Sequence, residues 1–184
     1  MNLSKARLPS AVEVGGNFYE IKTDFRFWLN FSKMISDKDS LVGDFDIFYK
    51  GEKPSDRIEG INQLWEFYNP PKELPRDTGN GSTEQILDYF LDGELIYSAF
   101  YENYGIDLFD EKLKLHWHKF LALVSGLHDT KLNEIMSYRV YNPNDKTKYE
   151  TQMMELKNAW RLPTKKRILS KAQQQWNALF DKKD

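Results

Sequence analysis

Cysteine is absent from all 184 residues, which excludes disulfides, thiolate nucleophiles and zinc held by thiolates. No uninterrupted apolar run approaches the roughly 20 residues that a membrane-spanning helix needs. The opening Met1-Asn2-Leu3-Ser4-Lys5-Ala6-Arg7-Leu8-Pro9 is too polar for a signal-peptide core, so a reducing cytoplasm is the expected location. Neither sign of charge is in excess: 26 Lys and Arg oppose 28 Asp and Glu, a formal net charge of −2, and the pI is near 6.0. That balance argues against a protein whose whole surface attracts nucleic acid or membrane. A phosphate-cradling glycine loop, a nucleophile elbow, a His-Glu-x-x-His pair and a repeat of fixed length are all missing. Asn30-Phe31-Ser32 and Asn80-Gly81-Ser82 match the glycosylation triplet, but with no secretion signal they read as chance.

Aromatic residues, by contrast, are plentiful. Twelve Phe, ten Tyr and five Trp make up 15% of the chain, enough for a substantial core despite a mean hydropathy of −0.68. They argue against disorder of the whole chain, and the length fits one compact domain or a domain with a small appendage.

The first 22 residues predict a β-hairpin. Val12 and Val14 alternate with polar neighbours, Gly15-Gly16 or Gly16-Asn17 supplies positive φ, and Phe18-Tyr19-Glu20-Ile21 returns. Thr23 or Asp24 then caps a helix carrying Phe25, Trp28, Leu29 and Ile35 on one side. Leu41, Phe45, Phe48 and Tyr49 suggest one brief apolar helix. Pro54-Ser55-Asp56 starts another over 56–68, with Ile58, Ile61, Leu64, Trp65 and Tyr68 at intervals of three and four, and Asn69-Pro70-Pro71 stops it.

Residues 70–83 hold three prolines and two glycines and read as a flexible linker between a mixed part, 1–69, and a helical bundle, 84–184. In that bundle one helix is expected over 84–104, with Ile86, Leu87, Phe90, Leu95, Ile96, Ala99, Phe100 and Tyr104, stopped by Gly105. Asp107 or Asp110 opens a region with Leu113, Trp117, Phe120, Leu121 and Val124. Asp129 or Thr130 caps a helix with Leu132, Ile135, Met136 and Val140. A further helix bears Tyr149, Met153, Leu156 and Trp160, and a last one after Pro163 bears Ile168, Leu169, Ala172, Trp176 and Leu179. The fold class is therefore mainly α, a small N-terminal β-hairpin followed by a multi-helix bundle.

Charge is unevenly spread. From Asp77 to Glu111 there are nine acids and no base; from Asp145 to Lys171 there are eight bases and three acids. Three readings compete: two solvated helix faces, self-complementary patches that draw identical subunits together, or a nucleic-acid contact, which the missing aromatic-interleaved basic motif disfavours.

Chemistry is harder to find. His116 and His118 flank Trp117; both on a helix, they would point about 200° apart and could not share a metal, whereas a strand would allow it, and the surrounding apolar pattern reads as helix. Asp44-Phe45-Asp46 and Asp92-Gly93-Glu94 are close carboxylates, but general acid–base work needs a cleft that separates their pKa values. No catalytic, cofactor-binding or metal-ligating residue is assigned. What stands out is the helix bearing Tyr89, Phe90, Tyr97, Phe100, Tyr101 and Tyr104, apolar over more than one side. Such a helix is either central to a bundle or contacts a partner. Tyr97, Tyr101 and Tyr104 are the candidate partner contacts, and Lys165, Lys166 and Arg167 the candidates for electrostatic association.

Tyr97-Ser98-Ala99-Phe100-Tyr101-Glu102-Asn103-Tyr104-Gly105-Ile106-Asp107-Leu108, then Leu115-His116-Trp117-His118-Lys119-Phe120-Leu121-Ala122-Leu123, Gly126-Leu127 and Ile135-Met136-Ser137-Tyr138-Arg139, resemble in order and spacing the phage gene-product-fifteen family. Leu8-Pro9, the glycine hairpin and Thr23-Asp24-Phe25-Arg26 are similar to that family's opening. The family departs from this chain at Trp117-His118, where it often has two adjacent aromatics, and before the tyrosine helix, where its acidic pattern is only partly kept by Asp88 and Asp92. The resemblance implies a small tail-module protein of siphophages and prophages of Gram-positive bacteria, without catalytic residues or cofactor. By gene position it implies a tail assembly chaperone that binds the tape-measure protein, and possibly the major tail protein, before the tube polymerises. Such a chaperone is expected in the host cytoplasm and absent from the mature virion, and the opposed charge blocks suggest that it forms a homo-oligomer. A structural tail component or a DNA-binding regulator are the alternatives.

Overall fold

The structure, a computed structural model, describes residues 7–35, 40–70, 85–142 and 148–163. Two compact units divide these residues. One holds the described residues up to Pro70 together with Lys114–Phe120; the other holds those up to Leu113 and from Leu121 to Pro163. The linker expected over 70–83 lies outside the described residues except for Pro70, as does the helix expected after Pro163.

The first unit opens with the hairpin, β1 (Ala11–Val14) against β2 (Asn17–Glu20), in the register Val12↔Tyr19 and Val14↔Asn17. Gly15 and Gly16 have φ of 59° and 80°, a two-residue turn in which both positions need the freedom that only a missing Cβ provides. Val12 and Val14 are buried, whereas Phe18 on the opposite pleat is exposed. The outer edge of β2 continues into residues 48–50: Lys50 N–H donates to Glu20 C=O (2.9 Å) and Lys22 N–H to Phe48 C=O (2.8 Å).

Helix α1 (Phe25–Met34) is capped by Asp24, whose carboxylate accepts from Arg26 N–H. Phe25, Trp28 and Phe31 are its buried residues. The expected stripe is thus corrected: Phe31 faces the core, whereas Leu29 and Ile35 are half-buried. The brief apolar helix is a 3-10 helix, Val42–Phe48, burying Phe45 and Phe48 while Leu41 stays exposed. Asp56 caps α2 (Arg57–Tyr68) by accepting from Ile58 and Glu59 N–H. Trp28 is the hub of the core, with ring centroids 5.4 Å from Phe31, 5.4 Å from Phe48 and 4.5 Å from Phe67. Gly60 lets Tyr49 approach: a Cβ there would lie 2.7 Å from the Tyr49 hydroxyl and 2.8 Å from Pro54 Cγ.

Distant sequence completes this unit. Phe25 N–H donates to Leu115 C=O (2.9 Å), and Trp117 N–H to Thr23 C=O (2.7 Å). Trp117 then stacks on Tyr68 and Phe120 on Phe25, at 5.1 and 4.8 Å. The Trp117 indole N–H donates to Tyr68 C=O (2.9 Å). Helix α4 (Trp117–Gly126) begins here, and the chain enters the second unit along it.

The second unit holds α3 (Gly93–Tyr104), the remainder of α4, α5 (Lys131–Val140) and α6 (Lys148–Ala159), with α5 packed against both α3 and α6. Ile96, Ala99, Phe100, Leu127, Leu132 and Ile135 are buried in it. Thr130, not Asp129, caps α5. Gly105, at φ 64°, ends α3 as expected: its N–H donates to Tyr101 C=O and that of Ile106 to Phe100 C=O.

Candidate protein-interaction surface

The helix expected over 84–104 starts only at Gly93, behind a single turn capped by Asp88. The Asp88 carboxylate accepts from Phe90 N–H (2.9 Å) and Leu91 N–H (3.1 Å), as an N-cap does, and Asp92 N–H donates to Asp88 C=O (2.9 Å). Asp92 accepts from Asp88 N–H (2.9 Å) and closes the turn. Both carboxylates are buried, and Asp92 is neutralised by Arg139 of α5 through a two-pronged pair at 2.7 and 2.8 Å. The same guanidinium donates to Ile86 C=O (2.9 Å) and Trp160 C=O (2.8 Å). One side chain therefore ties the start of α3 to α5 and to the residue that follows α6. A planar guanidinium with five donors suits that task, and an ammonium does not.

On this base α3 carries an exposed aromatic cluster. The rings of Tyr97 and Tyr101, one turn apart, stack at 6.3 Å. Phe109, beyond the helix end, reaches back to 5.1 Å from Tyr97, its backbone N–H held by the Asp107 carboxylate. Phe109 is 78% and Tyr101 60% exposed, values at which a large ring has no internal reason to be there. Glu94, Glu102 and Glu111 are exposed beside them, and no ion pair among the described residues engages these three.

The partner-contact candidates are thus placed differently. Tyr97 and Tyr101 share this face. Tyr104 turns inward: its ring meets Phe100 edge-on at 5.7 Å and its hydroxyl donates to Leu123 C=O (2.8 Å). Lys165, Lys166 and Arg167 lie outside the described residues. Phe109 was not singled out from sequence, because it belongs to no helical stripe. Arg139 carries a signal in the sequence, since it continues the Leu132, Ile135 spacing of α5 by four, while Val140, expected on that face, is exposed.

The histidine expectation is corrected in its geometry. His116 precedes α4, bridged to Asp24, so the two rings do not diverge and lie 5.2 Å apart. His116 Nδ1 accepts from His118 N–H (3.1 Å) and caps the helix, which leaves Nε2–H to donate to Pro9 C=O (2.9 Å). His118 Nε2 donates to Phe67 C=O (2.8 Å) beneath a ring stacked at 4.4 Å on Phe67. Burial is the main cause holding both imidazoles below their ordinary pKa, against the backbone bonds that raise it. Both serve as neutral fasteners. Among the described residues, no group of three or more His, Cys, Asp or Glu could hold a metal.

The paired carboxylates are likewise engaged in structure. Asp44 accepts from Leu41 N–H (2.7 Å) and Asp46 pairs with Arg57 at 3.0 and 3.2 Å. No described helix is long and apolar enough to cross a membrane.

Comparison with known proteins adds the family. A family model described as Bacteriophage Gp15 protein matches residues 5–162, a span that includes both units and the whole aromatic cluster. No curated protein and no solved structure matches the chain. The matched span takes in most of the 184 residues, and the chain therefore belongs to the Bacteriophage Gp15 protein family.

Proposed function

We propose that this phage protein is a non-enzymatic tail assembly factor, a chaperone that holds the tape-measure protein in the host cytoplasm until tail-tube subunits enclose it. The observation that carries the proposal is the cluster in which the exposed rings of Tyr101 and Phe109 flank a half-buried Tyr97, beside a helix whose start is anchored by a buried ion pair. A rigid helix with exposed rings suits an amphipathic helical client, which lays its apolar stripe against them. A shallow face of a few aromatic anchors gives contacts that polymerising tube protein can displace. The chemistry is that of covering a surface, with no bond made or broken, and the mature virion is expected to lack the protein.

The test is co-expression with a tape-measure fragment. The wild-type chain keeps the fragment soluble, and Tyr101→Ala with Phe109→Ala does not, although the variant unfolds at the same temperature. If the fragment precipitates equally with wild type and with no partner at all, the chaperone role is lost. Mass spectrometry of purified particles that finds the protein in mature tails assigns it instead to the tail structure.

A further inference from the structure

The aromatic face of α3 is acidic as well as apolar, and that combination specifies its occupant. Glu94 lies in line with Tyr97 and Tyr101, at spacings of three and seven, so one helical stripe carries two rings and a carboxylate. Glu102 and Glu111 stand beside Tyr101 and just beyond Phe109. The stretch from Asp77 to Glu111 contains no base, and Lys112 and Lys114, which follow it, form no ion pair with these three carboxylates among the described residues. A complementary partner is an amphipathic helix with an apolar stripe flanked by Lys and Arg.

One such sequence is in this chain itself. Residues 164–184 carry Ile168, Leu169, Ala172, Trp176 and Leu179 at helical spacing, and six bases against two acids. Lys165, Lys166 and Arg167 come together immediately before the first apolar positions. We infer that residues 165–180 of a second copy dock on the Tyr97, Tyr101 and Phe109 face, with Lys165, Lys166 and Arg167 set against Glu94, Glu102 and Glu111. Every copy offers both halves of the contact, so association is head to tail. It also explains how the exposed rings of Tyr101 and Phe109 are tolerated in solution: each copy covers the face of the next. The tail and the proposed tape-measure client use the same face, so a client must displace the docked tail; the inference itself stands on the charge and apolar character of the face and holds whichever client is bound.

Charge reversal tests it on the full-length chain. The face variant combines Glu94→Lys, Glu102→Lys and Glu111→Lys; the tail variant combines Lys165→Glu, Lys166→Glu and Arg167→Glu. The three face positions are exposed and form no ion pair among the described residues, and circular dichroism checks that both variants keep the wild-type helix content. By sedimentation velocity the wild type associates, and its affinity falls about tenfold or more between roughly 50 mM and 500 mM salt as the charges are screened. Each variant alone is monomeric, because face and tail then repel. The equimolar mixture of the two associates again, because the basic face of one meets the acidic tail of the other. A wild type that is monomeric at every concentration overturns the inference. So does a mixture that stays monomeric, which is the outcome if the tail covers its own chain. A failure in the tape-measure assay leaves these results untouched.

Discussion

Arg139→Met should markedly loosen the second unit. The guanidinium makes four N–H···O contacts, at 2.7 and 2.8 Å to Asp92, 2.9 Å to Ile86 and 2.8 Å to Trp160. Its side chain is 6% and that of Asp92 3% exposed. Methionine fills much of the volume but leaves a buried carboxylate without a counter-charge and two carbonyls without donors. Breaking a buried pair by removing one partner costs about 3–5 kcal/mol, and each buried acceptor left unpaired adds about 1 kcal/mol or more. Methionine's own apolar burial recovers part of this, so the expected loss is about 4 kcal/mol, a large share of the roughly 5–15 kcal/mol that holds a domain together. Arg139→Lys keeps the charge but not the fork and should cost about half as much. Asp92→Leu with Arg139→Met removes both charges, and its cost should be well below the sum of the two single changes. Urea unfolding followed by circular dichroism at constant slope measures all four. A loss under about 1 kcal/mol for Arg139→Met, or strict additivity in the double variant, would show that the pair is not the anchor of α3.

Other outcomes follow from the same geometry. Burial holds His116 and His118 below the 6.5 of the unfolded chain, so the unfolded state binds protons first. Stability should be full above about pH 6.5 and fall as pH drops through the lower folded values; His116→Gln with His118→Gln should flatten that slope in pH-dependent unfolding. Gly60→Ala places a methyl 2.7 Å from the Tyr49 hydroxyl and 2.8 Å from Pro54 Cγ, and should cost about 1–3 kcal/mol in thermal or urea unfolding. Tyr49→Phe should cost nothing or gain up to about 1 kcal/mol, because the buried hydroxyl has no hydrogen-bond partner. It should also relieve much of the Gly60→Ala penalty when combined with it. Gly105→Ala, at φ 64°, should lose about 1 kcal/mol through the left-handed helix end.

Periodic features were legible from sequence and scattered ones were not. The Gly15-Gly16 turn, the Asp24, Asp56 and Thr130 caps and the Gly105 stop all obey local rules, because the atoms that satisfy each backbone group lie within a few residues. The α3 boundary moved by about two turns: Asp88 caps a single turn over 88–92, with Asp92 accepting from its N–H, and the regular helix begins only after it, whereas apolar spacing alone favours helix throughout. Two of the three rings of the aromatic cluster are visible in sequence, as Tyr97 and Tyr101 at a spacing of four. Phe109 was invisible because it joins them from a loop, and Tyr104 looked equivalent to its neighbours until its hydroxyl was seen to point at Leu123.

Composition and spacing alone settle that this is a largely helical chain with a β-hairpin at one end and no thiol chemistry, because hairpin turns, caps and stripes are written in contiguous residues. Which aromatics are core and which are surface is decided only in three dimensions. Trp28, Trp117 and Phe120 disappear into one unit, whereas Tyr101 and Phe109 stay in water. That choice depends on pairings between residues far apart, such as Phe25 with Leu115 and Asp92 with Arg139. A linear pattern cannot specify them, because burial is a property of what packs against a side chain and not of the side chain itself.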